Sequence, residues 1–413
     1  MNLKLRTFRG NARMADLCLK GKKDNLSTQG NLNAYQPKEN RHPKFKLNKL
    51  LLLGILCCFW MMPTMSFAQT SAPALAYDIQ TTGDGHPYYL TEFNGKLYFN
   101  ANDGTNGREL WVYDGTTATM VHDINSSGEG NPREFAVYNG KLYFKAYDGT
   151  NGNELWVYDG VNTPTMVYDL NSSGSSSPEE LAVYNGKLYF KAYDGSSSRL
   201  WEYDGINNPI QVSSAFHSPK EPAVYNGKLY FNGTTTGTGE ELWVYDGTNP
   251  PTKVNSPGVT RPSNLTVYNG KLYFNARDGS NFKLWEYDGT NTPPTKISGS
   301  QHNFSYLTVY DGQLYFSAHS STYSNDVEPH RFDGTSISMV ANIQSGNGIQ
   351  GCSYPRYFTV YNNKLYFSAK GPSGRELYEY DVTNGLVLHD INPGWQGTDP
   401  VELAVANGKL YFN

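Results

Sequence analysis

Residues 134–170 read EFAVYNGKLYFKAYDGTNGNELWVYDGVNTPTMVYDL and contain four short runs rich in aromatic and β-branched residues. Such runs, bounded by Gly, Asn and Asp, are typical of β-strands. Asn139-Gly140 separates the first two runs and favours a type I′ turn, which needs positive φ at both central positions. Asp159-Gly160 has a similar role between the third and fourth runs. This stretch therefore predicts a four-stranded antiparallel unit.

The same unit recurs along the chain. The hexapeptide NGKLYF, or a close variant, recurs at intervals of 41 to 51 residues, beginning at Asn94, Asn139, Asn185, Asn226, Asn269, Asp311, Asn362 and Asn407. Between the copies lies a second motif, ELWVYDG, which is complete at Glu109, Glu154 and Glu241 and altered elsewhere. Four-stranded repeats of about 40 to 45 residues are typical of β-propellers. No sustained helical period is present between residues 74 and 413.

The strand sequences indicate burial on both faces. Runs such as KLYF and ELWVY are apolar throughout, whereas a half-solvated sheet would alternate apolar and polar residues. A blade packed between two neighbouring blades needs apolar side chains on both sides. We therefore predict an all-β fold, a β-propeller of four-stranded antiparallel blades. A β-solenoid is the competing architecture, but solenoid repeats are usually shorter and lack hairpin turns.

Counting strands predicts eight blades, with seven as the alternative. Residues 74–80 match the fourth strand of a unit, seven full units follow, and residues 401–413 supply two more strands. That total is one strand short of eight blades. We expect the amino-terminal strand to pair into the last blade and an ELWVYDG strand to be missing beyond Asn413, so that the last blade is incomplete in this chain.

The residues before the repeats predict an extension and an export signal. Residues 1–43 are polar without periodicity, so we expect a disordered extension or a misassigned start. Residues 44–68 combine lysines, an apolar run and a small-residue ending, Ser66-Phe67-Ala68, which is typical of a signal peptide. A signal anchor is the alternative. We expect residues 69–413 to form the propeller domain, secreted or displayed at the cell surface, with no membrane span after cleavage.

Charge and cysteine content exclude two kinds of partner and one source of stability. The whole chain has a net charge of −4, and loss of residues 1–68, which carry +9, would leave −13. Nucleic acids and anionic lipid surfaces should repel so acidic a chain. Only Cys352 would remain of the cysteines. Stability must then come from a core and not from disulfides.

The ELWVYDG motif also carries a family resemblance. Glu109–Thr116 and Glu241–Thr248 both read ELWVYDGT, and the copy at Glu154 has Val161 in place of the final Thr. The chain resembles the ELWxxDGT-repeat proteins of bacteria over essentially everything after residue 74. The resemblance implies an exported or surface-exposed repeat protein, in many relatives followed by a carboxy-terminal sorting domain. It implies no catalytic residues.

Residues present in nearly every repeat are expected to serve the fold. One repeat position holds an aspartate before glycine, at Asp114, Asp159, Asp204, Asp246, Asp288 and Asp333. Aspartate in this context bonds its own backbone in a turn. Calcium is the alternative because of loops such as residues 102–107, NDGTNG, although their spacing is not that of an EF-hand. We predict no cofactor and no metal site, with calcium left open.

Longer loops break the symmetry of the repeats on one side. In a propeller, the connections from second to third strand and from one blade to the next emerge on the same face, here called the loop face. Variable loops on a rigid scaffold are where binding usually occurs. We predict that aromatic and histidine residues of this face hold a glycan or protein ligand: Phe216, His217, Phe282, His302, Phe304, Tyr306, His319, Tyr323, His330, Tyr354 and Trp395.

Three functions are compatible with this pattern. The expected one is a non-enzymatic binding or adhesion module at the cell surface, with no catalytic residues. The second is a propeller enzyme acting on polysaccharide, a lyase or hydrolase, with Glu328, His319 and His330 as candidate groups. The third is a passive surface scaffold. No nucleophile elbow, Walker loop or His-Glu-x-x-His pattern occurs, and a nucleophilic role for Cys352 is disfavoured.

Overall fold

The computed structural model describes residues 5–8, 73–279, 281–290, 292–297, 301–320, 326–344, 351–391, 393 and 397–413. Within these ranges the regular elements are β-strands, and none is a helix. Accordingly, no helix of the described chain has the length and hydropathy needed to cross a membrane. The predicted signal peptide, residues 44–68, lies outside the described residues.

Seven of the sheets consist of four consecutive antiparallel strands each, and we number them blades 1 to 7. Two strands precede them, β1 (Leu5–Phe8) and β2 (Ala74–Tyr77). Blades 1 to 4 contain β3 (Tyr88–Phe93), β4 (Lys96–Asn102), β5 (Arg108–Tyr113), β6 (Ala118–His122), β7 (Arg133–Tyr138), β8 (Lys141–Tyr147), β9 (Asn153–Tyr158), β10 (Thr165–Tyr168), β11 (Glu179–Tyr184), β12 (Lys187–Tyr193), β13 (Ser198–Tyr203), β14 (Ile210–Gln211), β15 (His217–Tyr225), β16 (Lys228–Thr235), β17 (Gly239–Tyr245) and β18 (Thr252–Lys253). Blades 5 to 7 contain β19 (Thr260–Tyr268), β20 (Lys271–Arg277), β21 (Phe282–Tyr287), β22 (Thr295–Lys296), β23 (His302–Tyr310), β24 (Gln313–His319), β25 (Val327–Phe332), β26 (Ile337–Met339), β27 (Arg356–Tyr361), β28 (Lys364–Gly371), β29 (Gly374–Asp381) and β30 (Gly385–His389).

One further sheet joins the two ends of the described chain, and we call it the terminal sheet. Its last two strands are β31 (Ala404–Ala406) and β32 (Lys409–Phe412), and its strand order is β2-β1-β32-β31. It contacts blade 7, where the Tyr361 hydroxyl donates to the Gly408 carbonyl at 2.8 Å. It also contacts blade 1, where the Tyr89 backbone N–H donates to the Glu402 carboxylate at 3.0 Å.

The predicted all-β propeller of four-stranded antiparallel blades is confirmed. Its seven contiguous blades match the alternative blade number, and the eight-bladed prediction is not confirmed in the form we expected. The third strand of the terminal sheet is Leu5–Phe8, not an ELWVYDG strand. That strand comes from the 1–43 segment, which we expected to lack structure.

The first hairpin of each unit turns through two residues in the left-handed region. Asn139 and Gly140 have φ values of 48° and 68°, as the type I′ turn requires. Blade 7 has Asn362 and Asn363 there instead, with φ of 47° and 55°. Asparagine enters this region more readily than other non-glycine residues. The turn prediction from the Asn-Gly pairs is therefore confirmed.

The core lies between adjacent blades. Leu142 and Phe144 of blade 2 pack with residues of blade 1, whereas Tyr143, from the opposite face of the same strand, packs with Leu188 and Phe190 of blade 3. All five side chains are at most 1% exposed. Burial of each large side chain contributes about 1.5–3 kcal/mol. The need to fill two interfaces explains why the KLYF strands are apolar on both faces.

A tyrosine at the end of the first strand links most blades to the next one. Its hydroxyl donates to the carbonyl of the second turn residue in the following sheet, at 2.8 to 3.0 Å, in the pairs Tyr138–Gly186, Tyr184–Gly227, Tyr225–Gly270, Tyr268–Gly312, Tyr310–Asn363 and Tyr361–Gly408. In blade 1 this position is Phe93, so that link lacks the hydroxyl.

We expect Tyr225→Phe to lower the free energy of unfolding by about 1 kcal/mol, because one hydrogen bond is lost while the ring packing is kept. Denaturant unfolding followed by circular dichroism measures the change. Tyr147→Phe is the control, since Tyr147 is 37% exposed, and its effect should stay within about 0.5 kcal/mol. Equal effects of the two substitutions would contradict a role for the inter-blade bond.

Candidate functional site

The first strands of the blades lie side by side at the centre of the propeller. One repeat position, within the first strand of each blade and just before β31 in the terminal sheet, has positive φ, between 55° and 60°, and holds Tyr89, Glu134, Glu180, Glu221, Asn264, Tyr306, Tyr357 and Glu402. We call these residues the inner ring. Register shifts in the pairing of first and second strands mark a β-bulge here in each of the seven blades. The bulge is thus a regular feature of the repeat.

Side chains of the inner ring connect successive blades. The Glu180 carboxylate accepts the backbone N–H of Glu221 at 3.0 Å, and the Glu221 carboxylate accepts that of Asn264 at 3.0 Å. The Asn264 side-chain oxygen accepts the N–H of Tyr306 at 2.9 Å. Burial raises the pKa of Glu180, against the hydrogen bond from Glu221. The ring is acidic in blades 2 to 4 and uncharged in blades 5 to 7.

A cavity of about 530 Å³ opens on the loop face beside the uncharged part of the ring. We call it the loop-face cavity. Its lining comes from the first and third strands of blades 5 to 7, the ends of the second strands of blades 5 and 6, and two residues just before β27. Aromatic residues form much of the wall, at Phe282, Phe304, Tyr306 and Tyr354. Tyr306 and Tyr354 are 38% and 39% exposed, so their rings are accessible to a ligand.

The cavity also contains two arginines that our sequence interpretation did not single out. Arg375 donates to the Tyr354 carbonyl at 2.8 Å and lies 3.3 Å from the Asp399 carboxylate. The Arg375 side chain is only 12% exposed, while that of Asp399 is 60% exposed. Arg356 lines the same cavity. Burial lowers the pKa of Arg375, with a smaller contribution from the neighbouring charge of Arg356 and an opposite one from Asp399.

The structure brings part of the predicted ligand-binding set together. Phe282, Phe304, Tyr306, His319 and Tyr354 line the loop-face cavity. His302 lies beside it, since its ring stacks on that of His319 with centroids 4.6 Å apart. Tyr323 and Trp395 lie outside the described residues.

Three other candidates lie elsewhere. Phe216 is 1% exposed and packs against Phe231 and Trp243, with ring centroids 4.9 Å away in both cases. It is therefore a core residue. His217 is half-buried in β15 of blade 4, away from the cavity lining. His330 is 2% exposed, and its ring nitrogen lies 2.9 Å from the Glu328 carbonyl oxygen.

Glu328, the candidate carboxylate of the polysaccharide enzyme, is a buried scaffold residue. Its carboxylate accepts the Ile343 backbone N–H at 3.0 Å and the Ser353 hydroxyl at 2.6 Å. Burial raises its pKa to about 7. Glu109, Glu154 and Glu376 hold the same repeat position and bind the same connection in blades 1, 2 and 7. Glu328 does not line the cavity.

Blades 3 and 5 have a cation at this repeat position, and the polarity of the contacts is reversed. Arg199 donates to the carbonyls of Ser214 and Phe216 at 3.0 and 2.7 Å, and Lys283 donates to the Gln301 carbonyl at 3.0 Å. A carboxylate accepts hydrogen bonds from N–H groups of the connecting segment, whereas a cation donates hydrogen bonds to carbonyl groups of that segment. In these six blades the position therefore fixes the path of the chain between blades, whereas Glu241 of blade 4 bonds within its own blade.

The repeated aspartates are turn residues, as predicted. Asp159 accepts the backbone N–H groups of Val161 and Asn162 at 2.9 and 2.8 Å. Hydrogen bonds from Asn162 and Val161 lower the pKa of Asp159 to about 2. Asp103, in the loop considered for calcium, binds its own turn in the same way. No group of three or more His, Cys, Asp or Glu residues suited to a metal occurs in the described part of the chain.

Comparison with known proteins gives structural matches only. A scan against protein-family models finds no match, and a search of curated proteins finds no similar sequence. A puromycin hydrolase structure matches with a TM-score of 0.52 and 12% identity over 77% of this chain and 55% of that chain. A Mycobacterium tuberculosis puromycin-hydrolyzing peptidase matches with a TM-score of 0.50 and 11% identity, over 76% of this chain and 54% of that chain. A prolyl endopeptidase matches with a TM-score of 0.52 and 11% identity, over 73% and 49%.

These matches correct our expectation about function. The chain spans about half the length of the peptidases it matches. The similar structures are those of enzymes, which contradicts the expected non-enzymatic binding or adhesion module and the expectation that the chain is not an enzyme. At these identities the likeness establishes the fold. Resemblance to the ELWxxDGT-repeat family stays a prediction.

Proposed function

We propose that this chain is the substrate-binding propeller of a hydrolase that acts on peptides or peptide-like amides. The observation that carries the proposal is the loop-face cavity, which combines aromatic walls with Arg356 and Arg375. Its volume of about 530 Å³ is within the range of small-ligand sites. The structural likeness to peptidase propellers supports the same class of substrate.

The charges of the cavity favour a peptide over a polysaccharide. Most glycoside hydrolases need two carboxyl groups flanking the scissile bond. The described lining of this cavity contains no Asp or Glu. The Glu328 carboxylate is buried and accepts hydrogen bonds from the Ile343 backbone and the Ser353 hydroxyl. The guanidinium group of Arg356 instead suits a carboxylate, which arginine binds in a bidentate manner. A peptide terminus or an acidic side chain supplies such a group, while aromatic walls suit its neighbouring side chains.

In this proposal the cavity recognises the substrate, and the hydrolytic groups lie outside the propeller. The sequence has no nucleophile elbow. The matched peptidases are about twice the length that this chain covers. The propeller would then determine which peptides reach the reacting groups, and a separate domain or partner would cleave them.

Arg356→Gln is the test of this function. We expect it to weaken the binding of short peptides by at least about tenfold, since a charge-assisted hydrogen bond contributes about 1.5–3 kcal/mol. The full chain is equilibrated with a pool of tri- to pentapeptides, and retained peptides are identified by mass spectrometry. Binding constants of the retained peptides are then measured by calorimetry for the wild type and the variant.

Arg133→Gln is the matched control, because Arg133 has the same repeat position in blade 2 and lines a different cavity. It should leave peptide binding unchanged. Amidated peptides should bind the wild type more weakly than peptides with a free terminus, unless an acidic side chain supplies the carboxylate. Failure of the full chain to retain any peptide, or equal effects of the two arginine substitutions, would contradict the proposal. Cleavage of retained peptides by the chain alone would contradict the placement of the hydrolytic groups.

A further inference from the structure

In three blades a glutamate on the third strand binds both a lysine and a tyrosine of the second strand. In blade 3 the Glu202 carboxylate accepts the Tyr189 hydroxyl at 2.9 Å and the Lys187 ammonium at 2.5 Å. Glu286 in blade 5 and Glu379 in blade 7 make the same two contacts with the lysine and tyrosine of their own blades. One carboxylate therefore serves as the acceptor for two donors in each of these blades.

Blade 4 has the lysine and the tyrosine without the carboxylate. Val244 takes the register position of Glu202, opposite the tyrosine. That tyrosine, Tyr230, is 1% exposed, and its hydroxyl has no hydrogen-bond partner among the described residues. Lys228 forms no ion pair among them, although its charge helps to lower the pKa of the nearby turn aspartate, Asp246. Both donors thus lack the acceptor that blades 3, 5 and 7 supply.

A cavity of about 390 Å³ lies at this position, between blades 4 and 5. We call it the blade 4–5 cavity. Its described lining includes Lys228, Tyr230 and Val244 but no Asp or Glu, and it shares no residue with that of the loop-face cavity. A second lysine of the lining, Lys253, lies 2.6 Å from the Glu241 carboxylate and is already paired. The volume is near the lower end of the range for small-ligand sites.

We propose that the blade 4–5 cavity binds the carboxylate of a small organic acid. The ligand carboxylate takes the place that the glutamate carboxylate has in blades 3, 5 and 7. One of its oxygens accepts the Tyr230 hydroxyl, and the other accepts the Lys228 ammonium, and such charge-assisted hydrogen bonds are strong. Blades 1 and 2 also have valine here, at Val112 and Val157, so the cavity and not the valine alone assigns the site to blade 4. This site does not rest on the proposed function.

Fluoroacetate is the probe, and its binding to the full chain is measured by the broadening of its fluorine NMR signal. We expect a dissociation constant in the millimolar range. Tyr230→Phe keeps the buried ring and should weaken binding by at least about tenfold, because the lost hydrogen bond has a charged acceptor. Tyr189→Phe is the matched control and should leave binding unchanged, since Glu202 already occupies that position in blade 3. Fluoroacetamide, which has no charge, should not bind.

A second variant keeps the test independent of the tyrosine. Val244→Glu places a carboxylate in the register of Glu202 and should abolish fluoroacetate binding, whereas Val157→Glu, the same change in blade 2, should not. The titrations are repeated in the Arg356→Gln chain, which removes carboxylate binding at the loop-face cavity, and the effects of these variants should persist there. No binding to the wild type, binding unchanged by both Tyr230→Phe and Val244→Glu, or an equal loss with Val157→Glu would overturn the proposal.

Discussion

Glu328→Ala is expected to destabilise the propeller by about 3 kcal/mol at neutral pH. The Glu328 side chain is 0% exposed and accepts the Ile343 N–H at 3.0 Å and the Ser353 hydroxyl at 2.6 Å. Alanine leaves both donors buried and unpaired, and each such group costs about 1–3 kcal/mol. The connection from blade 6 to blade 7 thus loses two hydrogen bonds that hold it to the third strand of blade 6. Denaturant unfolding of the wild type and the variant measures the loss.

Glu241→Ala is the matched control, since Glu241 has the same repeat position in blade 4. There the carboxylate accepts the hydroxyls of Thr235 and Thr238 and lies 2.6 Å from the Lys253 ammonium. Its side chain is 22% exposed, so water can replace its contacts, and we expect a loss below about 1 kcal/mol. Equal losses at the two positions would show that burial of the carboxylate does not determine how much it contributes to the free energy of unfolding.

Local rules were sufficient to predict the repeated unit. Asn139-Gly140 specifies its turn because few other residues enter the left-handed region at both positions, and both φ values are positive. KLYF indicates a strand buried on both faces, and Leu142 and Tyr143 indeed face different neighbouring blades. Each of these features depends on residues close in sequence, which is why a single sequence shows them.

The terminal sheet could not be predicted in the same way. Leu5–Phe8 is a short run in a polar segment, and no repeat motif surrounds it. Its pairing with β32 joins residues about 400 positions apart and depends on a vacant position between two strands. Such a vacancy is a property of the assembled sheet. Our strand count expected an ELWVYDG strand at this position, and in the structure Leu5–Phe8 occupies it.

The site was predicted in part, and one error had a visible signal. Phe216 aligns with Val259 and Cys352, nine residues before the tyrosine that ends the first strand. All three are at most 4% exposed. The recurrence of an apolar residue in blades 4, 5 and 7 favours packing, although other blades have polar residues at this position, such as Glu129 and Ser175, so the signal for the core was partial. Arg356 and Arg375 gave no such signal, because only the arrangement of blades 5 to 7 places both in one cavity.

Acidification from pH 8 to pH 5 is expected to stabilise the protein. Burial raises the pKa of Glu109, Glu154 and Glu328 to about 7. In the unfolded chain a glutamate titrates near pH 4.3. Between these values the folded protein binds more protons than the unfolded chain, so the free energy of unfolding falls as the pH rises. Each carboxyl then contributes roughly 1–3 kcal/mol that is fully present below about pH 4.3 and lost by about pH 7.

Other carboxyl groups have the opposite effect at lower pH. Burial opposes ionisation of Glu179, but hydrogen bonds from Lys191 and Lys145 lower its pKa to about 2. Burial likewise opposes ionisation of Glu379, and hydrogen bonds from His389 and Lys364 lower its pKa to about 2. Their contribution is present above about pH 4.3 and is lost as the pH falls toward 2. The two sets together place the maximum of stability near pH 5.

Glu154→Gln distinguishes the contributions that the two sets of carboxyl groups make to the pH dependence of stability. The amide keeps an oxygen acceptor for the Ser176 N–H, which donates to Glu154 at 2.7 Å, but it cannot ionise. The decline in unfolding free energy between pH 5 and pH 8 should therefore shrink. Glu179→Gln should change only the loss of stability at acid pH, because the pKa of Glu179 is about 2. Denaturant midpoints at intervals from pH 3 to pH 8 measure both effects. A flat profile above pH 5, or one that rises toward pH 8, would show that these buried carboxyls titrate at their ordinary values in the folded protein.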